Sequence, residues 1–577
     1  MYKQLFMTAA LATACLQINA QTVATEYKSS SDGNPISGNI FCADPTALEY
    51  NGRLYVYGSN DHQQFIANGK KGENTYGDIK SIVVFSTADM VNWTFHGTID
   101  TKKLCGGWVT SPWYQGFGVS WAPSVTWRTT EDGTDEFFLY FCNSSHGVGV
   151  LKANSPIGPW KSPLKKLLIH YDTPGANPQN TNANFDPGVT IDDNGVGWLS
   201  FGGLGPSTFM PEAARIVKLK PSMTEIDGSA VKIHAPYHFE ANELNVINGK
   251  YVYTYCTNWA QRNDADWNSY KAETGISANR PDMCVMAYMV SDDPSNPDSW
   301  VYKDVYGPHP GMGTNNNHSH LQKFKGEYYH LYHGATLMEK MRAAGVIDNN
   351  CGIFRSLCVN KATVNEGTVT INRVSPDLKG VEPIASLNPY ELQEAETMAT
   401  CGGIEYEDFV NVKKNTKINS LGNEASENLQ VKMKAGSWTM LRKVDFGSIG
   451  ASKFMLRAKG TGTLEIRFGR KVGKASATID FSSTALADHT IDLDPTKFQG
   501  SKSMYLVVSA AEDVYLDAWQ FTEADLAGVH EIENGKSANS KSYDLSGRRM
   551  SDTKQHRGIV IEQYTDENGV KHSRKKF

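Results

Sequence analysis

Three acidic residues precede glycine-containing turns at nearly the same distance, eight or nine residues before the glycine. The acids and their glycines are Asp44 with Gly52, Asp186 with Gly195, and Glu240 with Gly249. Two carboxyl groups can hydrolyse a glycosidic bond when one is protonated, to supply the leaving oxygen with a proton, and the other is ionised. A separation of about 6.5–9.5 Å leaves room for a water molecule and leads to inversion. A third acid nearby raises the pKa of the proton donor by like-charge repulsion.

One sequence pattern recurs five times and supplies the elements that would position these acids. Each copy has a turn with glycine followed by an aromatic-rich, strand-like run, and the glycines are Gly52, Gly133, Gly195, Gly249 and Gly326. Asn-Gly and Asp-Gly between alternating apolar residues are strong hairpin signals. Successive glycines are 81, 62, 54 and 77 residues apart, so each interval can hold one four-stranded blade and its loops. The pattern predicts a five-bladed β-propeller.

Two further residues stand at comparable places in the remaining repeats. His318 lies eight residues before Gly326, and Trp121 lies twelve before Gly133, with a longer turn between them. If each turn closes the innermost hairpin of its blade, all five residues begin inner strands and surround one mouth of the central channel. Any one of the acids alone is more typical of a turn or a strand edge, but three at a common offset favour a catalytic cluster.

Composition and length set the broad class of the protein. A chain of 577 residues is too long for one hydrophobic core and predicts two or three domains. Tyr (26), Phe (23) and Trp (12) are plentiful, which favours an all-β protein. The net charge of -6 provides no basic patch for nucleic acid or for a membrane surface, so neither is expected as a partner.

Residues 1–20 predict a signal peptide. Lys3 precedes an apolar run from Leu5 to Leu16, and Ala20 ends a cleavage site. We therefore expect a secreted, periplasmic or cell-surface protein, with a lipoprotein modified at Cys15 as the minor alternative. The apolar run is too short to span a membrane, and no other stretch of the sequence could do so. Eight further cysteines leave disulfide pairing open, and their spacing suggests no zinc site.

Five short motifs around the candidate residues resemble family 43 of the glycoside hydrolases. They are Ala43-Asp-Pro-Thr46, Ser120-Trp-Ala-Pro123, Phe185-Asp-Pro-Gly188, Phe239-Glu-Ala-Asn242 and Asn317-His-Ser-His320. The resemblance covers residues 30–375 and implies a five-bladed propeller with inverting, exo-acting hydrolysis. It implies Asp44 as the general base, Glu240 as the general acid and Asp186 as the residue that modulates the pKa of the acid. Glu243 is the rival for the acid, although strand alternation would turn it to the face opposite Glu240.

The same resemblance implies four substrate-binding residues, Trp121, Phe239, His318 and Arg355. Trp121 would form a wall of the pocket for the terminal sugar, and Arg355 would hydrogen-bond that sugar. His318 would hold a calcium ion or a water molecule under the active site. The structural alternatives are a buried core tryptophan, a surface ion pair and a satisfied core histidine.

Residues 388–525 are similar to a family 6 carbohydrate-binding module, which is a β-sandwich of the jelly-roll type. The similarity rests on Tyr390-Glu-Leu-Gln-Glu-Ala-Glu396, Gly436-Ser-Trp438, Val444-Asp-Phe-Gly447 and the stretch from Val514 to Phe521. It implies that Glu394, Glu396 and Asp517 form a structural calcium site, and oxygen ligands suit Ca²⁺. Residues 429–434, with Lys432, lack the aromatic residue that stacks on sugar in many members, so we expect weak polysaccharide binding.

Residues 526–577 form a polar C-terminal tail. The stretch from Tyr543 to Arg549, followed by Gly558 to Ile561, resembles the short β segments that end secreted Bacteroidetes-type proteins. Some of these segments act as secretion or attachment signals. A flexible tail is the alternative.

Together these features predict a secreted, inverting exo-glycosidase that releases pentose from arabinoxylan or xylo-oligosaccharides. α-L-Arabinofuranose and β-D-xylose place similar hydroxyls in a small pocket, so the choice stays open, although an accessory polysaccharide module favours arabinofuranose. A catalytically silent glycan-binding propeller is the alternative. We expect structural Ca²⁺ in the sandwich, no organic cofactor, hemicellulose as the partner, and a monomer.

Overall fold

The computed structural model describes residues 23–525 apart from five short gaps, and four strands beyond residue 525. The gaps are 69–73, 107–117, 177–182, 310–315 and 407–428. The predicted signal peptide and most of the tail therefore lie outside the described residues. Strands dominate, and the described residues contain four short α-helices. These are α1 (Asp61–Asn68), α2 (Thr101–Cys105), α3 (Asp264–Thr274) and α4 (Thr336–Ala343).

Residues 43–362 form five antiparallel sheets, and within each sheet the strands lie next to each other in chain order. Blades 1 and 2 contain β1 (Ala43–Tyr50), β2 (Arg53–Ser59), β3 (Ile82–Thr87) and β4 (Trp93–Ile99), and then β5 (Trp121–Thr129), β6 (Asp135–Cys142) and β7 (Val148–Ala153). Blades 3 and 4 contain β8 (Gly188–Ile191), β9 (Gly197–Phe201), β10 (Arg215–Leu219) and β11 (Ile226–Lys232), and then β12 (His238–Ile247), β13 (Lys250–Thr257), β14 (Met286–Ser291) and β15 (Val301–Gly307). Blade 5 contains β16 (Ser319–Phe324), β17 (Glu327–Gly334) and β18 (Ser356–Ala362). A small hairpin of β19 (Val364–Asn365) and β20 (Thr370–Ile371) follows.

The first strand of each blade lines the centre of the fold. β1, β5, β8, β12 and β16 contact one another in that order, and β16 contacts β1 to close the ring. Each predicted glycine turn joins the first two strands of its blade. In the Asn51-Gly52 turn both residues have positive φ, 48° and 72°, which the right-handed twist of a two-residue hairpin requires. The predicted five-bladed β-propeller is confirmed.

The inner strands share an irregularity at one mouth of the channel. The pairing register shifts near the start of β1, β5 and β12. Four non-glycine residues there, Asp44, Ala122, Asp186 and Ala241, have φ between 39° and 61°. Such left-handed conformations are rare for residues with a side chain, and a bulge re-aims the side chains beside it. Four blades therefore turn the start of the inner strand in the same way.

The second half of the described chain forms a curled, sandwich-like antiparallel sheet around a separate hydrophobic core. Its strands are β21 (Gln393–Glu394), β23 (Thr400–Gly402), β24 (Glu405–Tyr406), β25 (Val431–Met433), β26 (Trp438–Asp445), β27 (Ala451–Phe468), β28 (Ala477–Asp492), β29 (Ser501–Ala511) and β30 (Val514–Glu523). The predicted all-β architecture of propeller followed by sandwich is confirmed. In the tail, β31 (Ser540–Tyr543), β32 (Arg549–Met550), β33 (Val560–Thr565) and β34 (Lys571–Lys576) form a four-stranded sheet.

The sandwich is joined to the propeller by backbone pairing. Strand β22 (Thr397–Met398), between two sandwich strands, pairs with β4 and extends blade 1. The N-terminal segment packs on the sandwich, where the indole Nε1 of Trp438 donates to the carbonyl oxygen of Ala24 at 2.9 Å. Trp438 is fully buried. It is therefore a packing residue, and its ring is not available to stack on a sugar.

The structure describes the environment of the cysteines and the length of the helices. All eight cysteines in the described residues are buried, and a buried cysteine packs like a small apolar residue. None of the helices in the described part of the chain has the length and apolar character needed to cross a membrane.

Candidate active site

A small pocket opens at the mouth of the channel where the inner strands are bulged. Its volume is about 120 Å³, small beside the ~300–1,000 Å³ of sites for drug-sized ligands. The lining residues are Asp44, Tyr76, Trp121, Ala122, Phe185, Asp186, Glu240, Asn316, His318 and Arg355. All three predicted acids are among them, as are Trp121, His318 and Arg355. Residues remote in sequence thus meet because each blade brings the same strand end to the channel.

Arg355 holds Asp44 from the side of blade 5. The Nη1 atom of Arg355 lies 2.6 Å from Oδ1 of Asp44. On its other side, Arg355 donates to Asp61 from its backbone nitrogen, from Nε and from Nη2 at 2.8 to 3.0 Å. Asp61 opens α1 and is fully buried. The guanidinium is therefore fixed between two carboxylates, a geometry that its planar fork of donors suits.

Asp44 is the carboxyl group that this arrangement keeps ionised. Burial is the largest single influence and opposes its charge, but Arg355, His318, His333 and a hydrogen bond from Ser59 together outweigh burial, so the pKa of Asp44 falls to about 2. The backbone N–H of Asp44 also donates to Nδ1 of His333 at 3.1 Å. Nearby positive groups favour the charged form of an acid. At neutral pH Asp44 therefore carries a negative charge in a buried pocket.

Asp186 lies opposite and accepts a hydrogen bond from the bulge of the neighbouring blade. Its Oδ2 atom accepts from the backbone N–H of Ala241 at 2.9 Å, and its Oδ1 atom is 3.7 Å from Sγ of Cys142. Burial raises the pKa of Asp186, and the charge on Asp44 raises it further. Because Ala241 directly follows Glu240 in the chain, Asp186 also fixes the backbone that carries Glu240.

Glu240 is the carboxyl group that the pocket keeps protonated. It is half-buried, and its Oε1 atom accepts a hydrogen bond from Nδ2 of Asn316 at 3.1 Å. Burial raises the pKa of Glu240 well above its ordinary value, and the charges on Asp186 and Asp44 raise it further. One pocket thus contains an ionised carboxylate and a neutral carboxylic acid, the two states that glycoside hydrolysis requires.

His318 lies between the two aspartates at the centre of the site. Its Nδ1 atom is 3.7 Å from Oδ1 of Asp44 and 4.0 Å from Oδ2 of Asp186. Burial lowers the pKa of His318 to about 4, so the ring is neutral at neutral pH. Its Nε2 atom is buried and has no hydrogen-bond partner in the described residues.

The orientation expected for Glu243 is wrong. Between Glu240 and Glu243, β12 advances three residues while the paired strand β13 advances two, from Cys256 to Thr254. This bulge cancels the alternation, so both glutamates face the channel. Glu243 lies fully buried, where Oε2 accepts from Ser124 at 3.2 Å and Oε1 is 3.4 Å from Nδ1 of His320.

Aromatic residues form part of the pocket wall and its rim. The indole Nε1 of Trp121 donates to the carbonyl oxygen of Tyr76 at 3.0 Å. The guanidinium of Arg355 lies 5.1 Å from the ring centre of Tyr76. Phe239 is not among the lining residues. Its ring instead packs edge-on against Trp259, with centroids 4.7 Å apart, and Trp259 is 43% exposed.

Sequence reasoning missed four residues of the site. Tyr76 lines the pocket, Asp61 and His333 hold its charged groups, and Asn316 contacts both Arg355 and Glu240. Asn316 lies in a run of three asparagines, a sequence typical of a loop, and Asp61 stands at a helix start, where Asp is common as a capping residue. The one available signal for His333 was its place in the aromatic strand of the fifth repeat.

In the sandwich, the three acids expected to bind calcium come from neighbouring strands. Glu394 pairs with Ala518, and the backbone N–H of Ala395 donates to the carbonyl oxygen of Asp517 at 2.9 Å. Burial, and then the charge on Asp517, raises the pKa of Glu394. Oε1 of Glu396 and Oδ1 of Asp517 are buried without a hydrogen-bond partner in the described residues. Orphaned carboxylate oxygens of this kind fit a hard cation.

The three acids do not form a finished ligand set by themselves. Across the described ranges, no group of three or more His, Cys, Asp and Glu side chains is arranged to hold a metal ion. A cation at Glu396 and Asp517 would therefore need further oxygen ligands, such as backbone carbonyls or water.

Comparison with known proteins identifies relatives for both halves of the chain. The model of glycosyl hydrolases family 43 matches residues 32–369, and the model of carbohydrate binding module family 6 matches residues 394–523. An arabinoxylan arabinofuranohydrolase of Bacillus subtilis (strain 168) is 34% identical over 526 residues, covering 87% of this chain and 95% of that protein. An arabinoxylan arabinofuranohydrolase of Paenibacillus polymyxa is 34% identical over 515 residues, covering 86% of this chain and 75% of that protein.

A solved structure extends the similarity to the whole architecture. The crystal structure of a glycoside hydrolase family 43 arabinoxylan arabinofuranohydrolase from Bacillus subtilis, in complex with cellotetraose, superposes with a TM-score of 0.73. It is 33% identical, and the match covers 87% of this chain and 99% of that one. The propeller and the sandwich are therefore shared in the same order.

Proposed function

The chain belongs to family 43 of the glycosyl hydrolases, a glycosidase family, and we propose that it releases α-L-arabinofuranose from arabinoxylan as a secreted, exo-acting, inverting enzyme. The observation that carries the proposal is the pairing of ionised Asp44 with protonated Glu240 in one small pocket. The two most similar relatives described above are arabinoxylan arabinofuranohydrolases, which favours arabinofuranose over xylose.

The reaction assigns one step to each carboxyl group. Asp44 accepts a proton from a water molecule as the water oxygen bonds to the anomeric carbon. Glu240 gives its proton to the glycosidic oxygen as the bond to the polymer breaks. The sugar leaves with the water oxygen, and the proton balance is restored when Asp44 and Glu240 exchange protons with solvent. Because water and leaving group act on opposite faces, the anomeric centre inverts.

Asp186 supports both steps. Its charge raises the pKa of Glu240, and its hydrogen bond to the N–H of Ala241 fixes the strand that carries the acid. Arg355 keeps Asp44 ionised and, with His318, presents polar groups to the hydroxyls of the bound sugar.

The shape of the site supports removal of a single terminal sugar. Trp121, Tyr76 and Phe185 provide apolar walls for one sugar ring in the pocket. Phe239 and the exposed Trp259 stand outside the pocket beside Glu240, where the leaving polysaccharide would lie. We assign Phe239 to this outer surface.

The sandwich is assigned a supporting role. Glu394, Glu396 and Asp517 would hold Ca²⁺, which would supply positive charge between strands that carry buried acids. The ring of Trp438 is buried and cannot stack on a sugar. Lys432 lies in the segment where many members have a stacking aromatic residue, and it pairs instead with Asp513 at 3.0 Å. We therefore assign it weak binding of polysaccharide and stabilisation of the propeller, whose first blade it extends.

The proposal is tested by incubating the protein with arabinoxylan and with 4-nitrophenyl α-L-arabinofuranoside and β-D-xyloside, and by identifying the sugars released by chromatography. Arabinose should be the main product from the polymer, and the arabinofuranoside should be the better aryl substrate. Xylose as the main product would favour a β-xylosidase. Binding of arabinoxylan without release of any sugar would establish a catalytically silent glycan-binding propeller.

A further inference from the structure

Asn316 stands between Arg355 and Glu240. Its Oδ1 atom accepts from Nη1 of Arg355 at 2.9 Å, and its Nδ2 atom donates to Oε1 of Glu240 at 3.1 Å. A guanidinium has donors and no acceptor, so the amide atom that faces Arg355 must be the oxygen. The NH₂ group is therefore turned towards Glu240, and a flipped amide would set its NH₂ group against the donors of Arg355.

This orientation decides which oxygen of Glu240 carries a proton. The Nδ2 atom of Asn316 can only donate, so Oε1 of Glu240 must be the acceptor. A neutral carboxyl group has its hydrogen on one oxygen. The carbonyl oxygen of a neutral carboxyl group accepts a hydrogen bond better than its hydroxyl oxygen, so in the protonated state favoured by burial and by the neighbouring acids the contact with Asn316 favours the hydrogen on Oε2.

The backbone of Asn316 is held by a second group that contacts Asp44. The N–H of Asp44 donates to Nδ1 of His333 at 3.1 Å, so Nδ1 has its lone pair there and the ring proton is on Nε2. Nε2 then donates to the carbonyl oxygen of Asn316 at 3.0 Å. His333 is fully buried, and burial lowers its pKa to about 3, in agreement with a neutral ring.

Asn316 is thus tied at its side chain by Arg355 and at its backbone by His333, and both of these residues also hydrogen-bond Asp44. We propose that Asn316 is a positioning residue that holds the proton of Glu240 on Oε2 and sets its place relative to Asp44. The inference rests on the proposed role of Glu240 as the proton donor.

Leaving-group dependence distinguishes this role from a packing role. A natural glycosidic oxygen needs a proton as the bond breaks, whereas 4-nitrophenolate leaves with little help. We expect Asn316→Ala to lower kcat/KM about 10- to 100-fold on arabinoxylan oligosaccharides, a part of the ~10²–10⁴-fold contribution of general acid catalysis, and about threefold or less on 4-nitrophenyl α-L-arabinofuranoside. Both substrates are measured on one preparation, so unfolded protein does not alter the ratio.

Two further variants make the test specific. Asn316→Asp keeps an oxygen for Arg355 but has no N–H for Glu240, so it should show the same selective loss. The matched control is Asn317→Ala, because the Asn317 amide donates to the carbonyl oxygens of Cys284 and Pro308 at 3.0 and 3.3 Å and bonds to no carboxylate of the described residues. Its losses should be equal on the two substrates.

A double variant separates failure of this inference from failure of the proposed function. In a Glu240→Ala background, Asn316→Ala should cause no further loss on the natural linkage, because it acts through Glu240. Equal losses on both substrates for Asn316→Ala, or a fully additive loss in the double variant, would overturn the inference. If Glu240→Ala itself reduces both substrates equally, the assignment of Glu240 as proton donor is wrong.

Discussion

Asp61 accepts three hydrogen bonds from Arg355, although 294 residues separate them in the chain. Both side chains are buried. Arg355 uses its remaining Nη1 donor on Asp44 and Asn316. A helix start in blade 1 thereby fixes the guanidinium that helps to keep Asp44 ionised, so Asp61 contributes to the electrostatics of the site.

The Asp61→Asn variant should shift the acidic limb of the pH profile of kcat/KM to higher pH. An amide cannot accept all three hydrogen bonds, so we expect Arg355 to lose its fixed position beside Asp44, and burial then to raise the pKa of Asp44 from about 2. Asp44 acts as a base only when ionised, so activity is lost at a higher pH as the pH falls. Breaking a buried ion pair also costs about 3–5 kcal/mol of stability.

A matched control distinguishes the pH effect from lost stability. Asp192 lies in the turn between β8 and β9 of blade 3. It is also buried, and it accepts hydrogen bonds from Trp198 and Tyr251. Asp192→Asn should lower the melting temperature and leave the pH profile in place. An unchanged acidic limb in folded Asp61→Asn would contradict the role assigned to Asp61.

Glu240→Gln and Glu243→Gln should differ in how they affect two kinds of substrate. Glu240→Gln removes the proton donor and should reduce hydrolysis of natural linkages by about 10²–10⁴-fold, with a smaller loss on the 4-nitrophenyl substrate. Glu243→Gln breaks a contact with His320 below the pocket and should reduce both substrates by similar factors. A selective loss in Glu243→Gln, measured as the ratio of kcat/KM values, would mean that the acid has been assigned to the wrong glutamate.

Asp186→Asn should move the basic limb of the pH profile to lower pH. The charge on Asp186 raises the pKa of Glu240, so its removal lets Glu240 lose its proton at a lower pH. Because the amide oxygen can still accept from the N–H of Ala241, the strand should remain in place. A basic limb that stays fixed or rises would show that Asp186 acts on Glu240 by some other means.

The repeat pattern predicted which residues meet, because every blade repeats one hairpin and a common offset from its turn leads to a common strand end. The pattern could not predict how the side chains point. The bulges at Asp44, Ala122 and Ala241 add a residue to a strand without changing its composition, and this made the alternation argument for Glu243 fail.

Long-range contacts set a second limit on prediction. Strand β22 completes an edge of blade 1 from within the sandwich segment, and no local signal distinguishes it from its neighbours. The amide of Asn316 turns its oxygen towards Arg355 and its NH₂ group towards Glu240. This orientation depends on those two residues and not on the sequence around Asn316. Prediction from sequence therefore found the acids and Arg355 but missed Asp61, His333 and Asn316, which hold these groups in place.

Removing calcium should lower the melting temperature of the full-length protein. A cation that binds only the folded sandwich stabilises it by about 2.7 kcal/mol at a concentration 100 times its Kd. Glu396→Gln should lower the melting temperature in calcium and make it insensitive to chelator, because Glu396 supplies a buried, unpartnered oxygen. Glu405→Gln, a change at an exposed sandwich acid, is the control and should retain the calcium effect.

Metal analysis must accompany this experiment. If calcium is absent after chelation and the melting temperature has not moved, Glu394, Glu396 and Asp517 are ordinary buried acids, and the calcium assignment is wrong.

The most direct test of the central claim is the proton NMR spectrum of the first sugar released from arabinoxylan, recorded before mutarotation. In the proposed reaction, ionised Asp44 and protonated Glu240 act on opposite sides of one bound arabinofuranose, with a water molecule as the nucleophile. The α-L-linked side chain should therefore appear first as β-L-arabinofuranose. Appearance of the α anomer first would mean retention, and xylose as the first product would mean a different substrate; either result would contradict the account.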